Sequence, residues 1–239
     1  MLFSCVKSAP LGAEKKKLTT KKITTLTTAE LQEIGLIAIV RTDLDADMRR
    51  VAEALASGGI RAMEITLNTP NALASVTAIR RDLSPSLRVG AGTILNPEDA
   101  RKAWEAGAEF IVTPTLQLDT ITFCRQYALP LACGCLTPTE ALAAHQAGAD
   151  FIKLFPADAL GPSYVRALLA PLPFLRIIPT GGVSLQNLGD YLQAGSVGVA
   201  LGSNLVSRQI LRDQDWAGLT AVARDYVQAL AAARTAPHP

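Results

Sequence analysis

One short pattern recurs four times in the 239 residues, a glycine at the foot of a helical stretch followed at once by an apolar run. The four places are Ser57-Gly58-Gly59-Ile60, Ala106-Gly107-Ala108-Glu109-Phe110-Ile111-Val112, Ala147-Gly148-Ala149-Asp150-Phe151-Ile152-Lys153 and Ala194-Gly195-Ser196-Val197-Gly198-Val199. Their second positions are 49, 41 and 47 residues apart. Each of those glycines fits the left-handed position that closes a helix, and each apolar run fits a strand buried on both faces of a parallel sheet. A second set of strands alternates with these, at Leu87-Arg88-Val89-Gly90, Leu129-Pro130-Leu131-Ala132-Cys133 and Leu175-Arg176-Ile177-Ile178-Pro179. With Gly35-Leu36-Ile37-Ala38-Ile39-Val40-Arg41 in front, the count is eight strands.

Helical segments fill the intervals, among them Ala46 to Ser57, Asn71 to Leu83, Glu98 to Ala106, Thr139 to Ala147 and Gln186 to Ala194. Several begin at Thr-Pro, Asn-Pro or Gly-Pro, where a capping residue would precede a proline in the first turn. Eight βα units of roughly 22 to 25 residues predict an α/β fold, a (β/α)8 TIM barrel. The single barrel domain is expected over residues 27–239, with residues 1–26 as a flexible extension. A doubly wound open sheet is the alternative, and it would need more asymmetry between the halves.

Hydrophobic residues make up 49 % of the chain and charged ones 18 %, which excludes disorder for most of it, and no apolar run approaches the length of a membrane span. The net charge of +2 comes from the first 26 residues, which carry six Lys and one Glu. The remainder holds 17 basic against 20 acidic residues, so neither nucleic acid nor membrane is an expected partner. The extension lacks the apolar core of a secretory signal; its Lys excess would suit a transit peptide, but Arg is absent and Glu14 is present. A cytoplasmic protein is expected. Cys5, Cys124, Cys133 and Cys135 show no paired framework and read as reduced thiols. Cys133-Gly134-Cys135 invites a metal reading, but His145 and His238 are the only histidines, so no metal site is expected.

Chemistry in such a barrel belongs at the C-terminal ends of the strands. In order these carry Arg41, Glu64-Ile65-Thr66-Leu67-Asn68, Gly90-Ala91-Gly92-Thr93, Thr113-Pro114, Gly134, Lys153, Thr180-Gly181-Gly182 and Gly202-Ser203. Lys153 is the most distinctive. After Lys22 the chain has only Lys102 and Lys153, and Lys153 interrupts the apolar run Phe151-Ile152-Lys153-Leu154-Phe155. Low dielectric disfavours the charged form of a lysine, and the free amine attacks carbonyls to form Schiff bases. The plainer alternative leaves the ammonium in water or paired to Asp150. Glu64, in another apolar strand, suits proton transfer beside such an amine, or else simply neutralises Lys153 or Arg41. Arg41 suits a substrate carboxylate, since its planar fork makes paired charge-assisted bonds; a rim salt bridge is its plainer role. Thr93 would add a hydroxyl, and Phe155 with Pro114 a dry wall. Gly181-Gly182 and Gly202-Ser203, after strands seven and eight, stand where barrels often hold a phosphate on backbone N–H groups. The expected ligand is a phosphorylated small molecule.

Taken together and in order, these stretches resemble the 2-keto-3-deoxy-6-phosphogluconate aldolase family, which includes 4-hydroxy-2-oxoglutarate aldolases and phosphogalactonate aldolases. The similarity covers about Thr27 to Ala233. It rests on Ile37-Ala38-Ile39-Val40-Arg41, Glu64-Ile65-Thr66-Leu67, Gly90-Ala91-Gly92-Thr93, Phe110-Ile111-Val112-Thr113-Pro114, Ile152-Lys153-Leu154-Phe155-Pro156, Gly161-Pro162, Pro179-Thr180-Gly181-Gly182-Val183 and Gly202-Ser203. The resemblance implies a class I aldolase without metal or cofactor, cleaving 2-dehydro-3-deoxy-6-phosphogluconate to pyruvate and glyceraldehyde 3-phosphate. In it Lys153 forms the Schiff base with pyruvate and Glu64 shuttles protons. Arg41 and Thr93 would hold the carboxylate, Thr180 the body of the substrate, and Gly181, Gly182, Gly202 and Ser203 the phosphate. A homotrimer is also implied. Asn68 stands where many phosphogluconate aldolases have arginine and matches the phosphogalactonate type, whereas Thr180 looks like the phosphogluconate type. Cys133-Gly134 replaces a common Pro-Gly. An isomerase or synthase in which Lys153 is only a charge, and a non-catalytic phosphometabolite-binding barrel, are the rival readings.

Overall fold

The computed structural model describes residues 25–235. In chain order its elements are α1 (Thr28–Ile34), β1 (Leu36–Val40), α2 (Met48–Ser57), β2 (Ala62–Thr66), α3 (Ala72–Leu83), β3 (Arg88–Gly92), α4 (Pro97–Glu105), β4 (Ile111–Val112) and α5 (Leu118–Gln126). They continue with β5 (Leu131–Cys135), α6 (Pro138–Ala147), β6 (Phe151–Leu154), α7 (Gly161–Leu169), β7 (Ile177–Pro179), α8 (Leu188–Gln193), β8 (Val199–Leu201), α9 (Arg208–Asp213) and α10 (Trp216–Thr235). The strands pair in the order β7-β6-β5-β4-β3-β2-β1-β8, all in parallel. A parallel bridge from Thr180 to Ala200 draws β7 to β8. This is the expected (β/α)8 barrel, and its closure excludes the open sheet.

Side-chain parity divides the core into two layers. Residues such as Val40, Met63, Val89, Ile111, Leu131, Ile152, Ile177 and Leu201 face the helices in one continuous cluster. The alternate residues Ile37, Ala62, Phe110, Val112, Ala132, Phe151, Ile178 and Ala200 form a second cluster inside the ring. Strands buried on both faces lose the polar alternation of a half-exposed sheet, which is why these read as unbroken apolar runs.

Residues 1–24 of the expected extension, and His238 at the other end, lie outside the described residues. Leu26 is buried with Leu31 and Ile34 beneath the barrel. No element was expected over residues 27–34, yet α1 forms there. The Thr27 side chain accepts the Glu30 amide at 3.1 Å, and Gly35 at φ +68° closes the helix.

Three local expectations change. Gly107, Gly148 and Gly195 are left-handed, but in the first repeat that role belongs to Gly59 at φ +94°, not Gly58. Gly58 stays helical at φ −80° and is small because α10 crosses it; a Cβ there would lie 2.5 Å from that of Ala223. Strand five begins at Leu131 and not Leu129, since Pro130 has no N–H for the ladder, and runs on to Cys135. Of the proline starts, Asn96-Pro97 and Thr137-Pro138 are capped as expected, the latter with a full capping box to Glu140. At Gly161-Pro162 the glycine is already inside α7, with Leu160 before it and no side-chain cap.

Opposite the strand C-termini, Arg88 and Glu109 are buried together. Arg88 donates to Glu109 at 2.8 Å and to Glu30 at 2.6 and 2.9 Å, and Arg80 reaches Glu109 at 2.7 Å. Glu109 also accepts the Val89 amide at 3.2 Å. No helix among the described residues is long and apolar enough to cross a membrane. Removing one member of a buried pair strands the other. Glu109→Leu is therefore expected to lower the free energy of unfolding by about 3 to 5 kcal/mol in denaturant titrations; a loss within the scatter of a surface substitution would show that water already solvates the network.

Candidate active site

Parity brings two ionisable groups into the ring. In β2 the inward residue after Ala62 is Glu64, and in β6 the inward residue after Phe151 is Lys153. Thr66 is the one further inward position of β2, and Lys153 is the last inward position of β6, so both side chains lie near the mouth. Lys153 is 7 % exposed and Glu64 is 1 % exposed. Lys153 Nζ lies 3.8 Å from Glu64 Oε1, an ion-pair distance beyond hydrogen-bond reach, and Oε1 has no hydrogen-bond partner among the described residues. Burial pushes the Glu64 carboxyl above its ordinary range, and the opposing fields of Lys153 and Arg41 only partly offset it. Asp150 is not a partner for Lys153. It accepts Thr28 Oγ1 at 2.6 Å and the Leu131 amide at 3.0 Å at the opposite pole.

The inward neighbours of this pair are glycines for want of space. A Cβ on Gly92 would stand 2.6 Å from Glu64 Oε1, and one on Gly134 would stand 2.2 Å from the carbonyl carbon of Pro114. Gly134 thus lets the loop after β4 lie across the neighbouring strand and brings Pro114 to the cavity. Lys153 Nζ is 5.4 Å from the Phe155 ring centroid, within reach of a cation–π contact.

Arg41 follows β1 directly. The Thr69 hydroxyl accepts the Thr42 amide at 3.3 Å, and Thr66 and Thr69 meet at 3.2 Å beneath Val40 O. These hydroxyls tie the ends of β1 and β2 together on either side of Arg41. Thr93 follows β3 at φ +57°, a region that costs a non-glycine residue energy and recurs at functional sites. Thr180 is buried, its amide donating to Leu154 O at 2.9 Å and its carbonyl accepting the Ala157 amide at 2.8 Å.

Gly181 and Gly182 are both left-handed, at φ +92° and +70°. Asn187 donates to Gly182 O at 3.0 Å, Asn204 donates to Val183 O at 2.8 Å, and the Leu205 and Val206 amides donate to Gly202 O at 2.9 Å. With those carbonyls taken up, the two turns can offer an anion their peptide N–H groups and the Ser203 hydroxyl.

All eleven residues singled out from sequence (Arg41, Glu64, Thr93, Pro114, Lys153, Phe155, Thr180, Gly181, Gly182, Gly202 and Ser203) line one cavity of about 530 Å³. Sequence reasoning missed Asp43 and Arg208, which line it too; Asp43 lies in the loop after β1 and Arg208 opens α9, both beyond the strand ends, where no periodicity marks an inward residue. Thr69 was missed for the same reason. Cys133 and Cys135 face the helices, and His145 packs on Phe174 with ring centroids 4.6 Å apart. Among the described residues no group of three or more His, Cys, Asp or Glu is placed to hold a metal ion.

The family model for KDPG and KHG aldolase matches residues 27–222. The chain is 37 % identical over 203 residues to the 2-dehydro-3-deoxy-phosphogluconate aldolase of Pseudomonas aeruginosa, covering 84 % of this chain and 91 % of that one. It is also 37 % identical over 174 residues to the 2-dehydro-3-deoxy-6-phosphogalactonate aldolase of Escherichia coli, covering 72 % and 85 %. Among solved structures, a native KDPGal structure superposes with a TM-score of 0.79 at 34 % identity, covering 84 % and 96 % of the two chains. The KDPG aldolase of Legionella pneumophila, with pyruvate captured as a covalent carbinolamine intermediate, superposes with a TM-score of 0.78 at 26 % identity, covering 83 % and 97 %.

Two outcomes follow from the geometry. Gly92→Ala is expected to push the Glu64 carboxylate aside and lower kcat by about 10²-fold, the cost of a misplacement near 1 Å, with an unchanged circular dichroism spectrum; wild-type turnover would mean that Glu64 needs no fixed position. The raised Glu64 carboxyl also fixes a sign. As a proton acceptor Glu64 would have to be ionised, so kcat/KM is expected to fall on the acid side at a pH above the ordinary glutamate value of 4.5, and a pH–rate profile whose acid limb lies at or below that value would contradict it.

Proposed function

The chain belongs to the KDPG and KHG aldolase family and is an aldolase, hence a lyase; within that family we propose a class I enzyme that cleaves 2-dehydro-3-deoxy-6-phosphogluconate to pyruvate and glyceraldehyde 3-phosphate. The observation that carries this reading is the buried amine of Lys153, 3.8 Å from a buried carboxylate with an unpartnered oxygen. At that spacing one bridging oxygen, from water or substrate, can serve both groups.

In this reading the neutral Lys153 amine adds to the C2 keto carbon, water leaves the carbinolamine, and an iminium forms. Glu64, through water, removes the proton of the C4 hydroxyl. The C3–C4 bond breaks, its electron pair flows into the iminium to give an enamine, and C4 departs as the aldehyde of glyceraldehyde 3-phosphate. Protonation of the enamine carbon and hydrolysis of the iminium return Lys153 and release pyruvate. The iminium formed on Lys153 is the electron sink, so the scheme calls on no metal or cofactor.

Arg41 and Thr93 take the carboxylate, Phe155 and Pro114 wall off the imine, Thr180 lies along the carbon chain, and Gly181, Gly182, Gly202 and Ser203 receive the phosphate. Thr180 supports the gluconate stereochemistry. Asn68, which also lines the cavity, favours the phosphogalactonate as the second reading, and 4-hydroxy-2-oxoglutarate is the substrate without a phosphate. A binding barrel without turnover would have no use for an unpartnered buried carboxylate beside an amine. We further propose a cytoplasmic homotrimer. The half-exposed Trp104 and Tyr127, with ring centroids 4.4 Å apart and planes tilted by 47°, lie on α4 and just past α5 and give an apolar face for a second subunit.

Incubation with pyruvate followed by borohydride is expected to add one reduced pyruvyl group, found on Lys153 by peptide mapping. Lys153→Ala is expected to lose both adduct and turnover while keeping its fold. An unmodified wild-type protein at saturating pyruvate would sink the Schiff-base assignment.

A further inference from the structure

Arg208 lines the same cavity as the two glycine turns and has no part in the scheme above. Its guanidinium lies 3.1 Å from Asp43. Resting on the aldolase reading, we propose that Arg208 is a phosphate-binding, specificity-determining residue, with Asp43 as the counter-ion that it exchanges for the substrate's phosphate.

The surroundings of Arg208 favour a moving side chain on a fixed base. Asn204 ties the loop after β8 to Val183 at 2.8 Å, and the Leu205 and Val206 amides both close on Gly202 O at 2.9 Å. The Ser207 hydroxyl accepts the Ile210 amide at 3.1 Å and caps α9 just before Arg208. The backbone of Arg208 is thereby anchored in the loop that carries Gly202 and Ser203. Asp43 sits in the loop after β1, the strand paired with β8, so the ion pair bridges two adjacent loops at the cavity rim.

Charge decides between a strut and an exchangeable pair. The two side chains are 61 % and 68 % exposed, and an ion pair in that much water holds little free energy. A phosphate monoester brings nearly two charges and three acceptor oxygens, and a guanidinium binds such a group through parallel charge-assisted bonds. The phosphate end needs a cation. Asp158 packs against Gly182, where a Cβ would stand 2.3 Å from that of Asp158, so without Arg208 a dianion would meet peptide dipoles and one hydroxyl beside an existing acid. Arg41 and Lys153 are committed to the pyruvate end. Asp43 is then the weaker competitor, and Arg208 becomes the element that separates phosphorylated from unphosphorylated keto acids.

The test compares kcat and KM for a 2-dehydro-3-deoxy-6-phospho sugar acid and for 4-hydroxy-2-oxoglutarate in wild type, Arg208→Gln and Asp43→Asn. Arg208→Gln is expected to raise KM for the phosphorylated substrate about tenfold or more, the range for losing a hydrogen bond to a charged group, with kcat nearly kept, and to lower the preference for it over the unphosphorylated acid by the same factor. Asp43→Asn, which frees Arg208, is expected to lower the same KM. Equal losses on both substrates would make the pair a strut, and unchanged constants in Arg208→Gln would leave the glycine turns as the whole phosphate site; either result overturns the inference while the aldolase reading stands. A wild-type protein that cleaves no phosphorylated substrate would instead remove that reading, and this inference with it.

Discussion

A carboxylate sealed to 1 % exposure with one oxygen unpartnered is the constraint that the rest of the barrel answers to. Its ionised form costs stability relative to the protonated one, a cost that appears as pH rises through the raised Glu64 pKa. The opposite pole holds a second glutamate whose carboxyl burial also pushes up, but one with partners on both oxygens. Glu109 is about as buried, but it has two arginines within ion-pair distance and a backbone amide on its second oxygen. A fold that can satisfy a buried glutamate fully at one end and leaves another short at its mouth is storing reactivity there.

That arrangement holds because the wall around Glu64 cannot give way. Parallel strands with helices packed outside make the ring stiff, and a continuous apolar layer backs every strand. Inside, bulk is distributed by position: Phe110 and Phe151 fill the layer beneath the charged pair, and Gly92 and Gly134 leave the space beside it. The apolar layer keeps water from reaching the pair from below. The glycines let a carboxylate and a loop approach where any side chain would collide.

The two ends of the cavity obey different physics. Around Lys153 the groups are buried, short of partners and held by strand geometry, so small displacements are costly. At the far rim Arg208 and Asp43 are exposed, and their interaction is screened by water. In the reading proposed above, the carbon–carbon chemistry belongs to the first end, and the separation of phosphorylated from unphosphorylated acids belongs to the second. Similarity does not rank the phosphogluconate and phosphogalactonate substrates, since the chain is 37 % identical to an aldolase of each kind over most of its length.

The barrel was legible in sequence because burial on both strand faces writes itself as apolar runs, and because helix ends that need a left-handed residue select glycine. Glu64 and Lys153 were legible as polar interruptions in runs that would otherwise be all apolar. What depends on contact between distant segments was not written locally. Gly58 reads like a helix terminator but is small for the sake of Ala223 on α10, and α1 follows from capping at Thr27 with no long apolar run to announce it. By itself the sequence determined the eightfold alternation of strand and helix and which residues stand at the strand ends, since both follow from the local order of apolar runs and helix-closing glycines. Only the tertiary structure decided that Glu64 would lack a hydrogen-bond partner, that Asp150 would be taken up by Thr28 and Leu131, and that Arg208 would meet Asp43 across the rim, because each of these depends on segments distant in sequence that meet only when the ring closes.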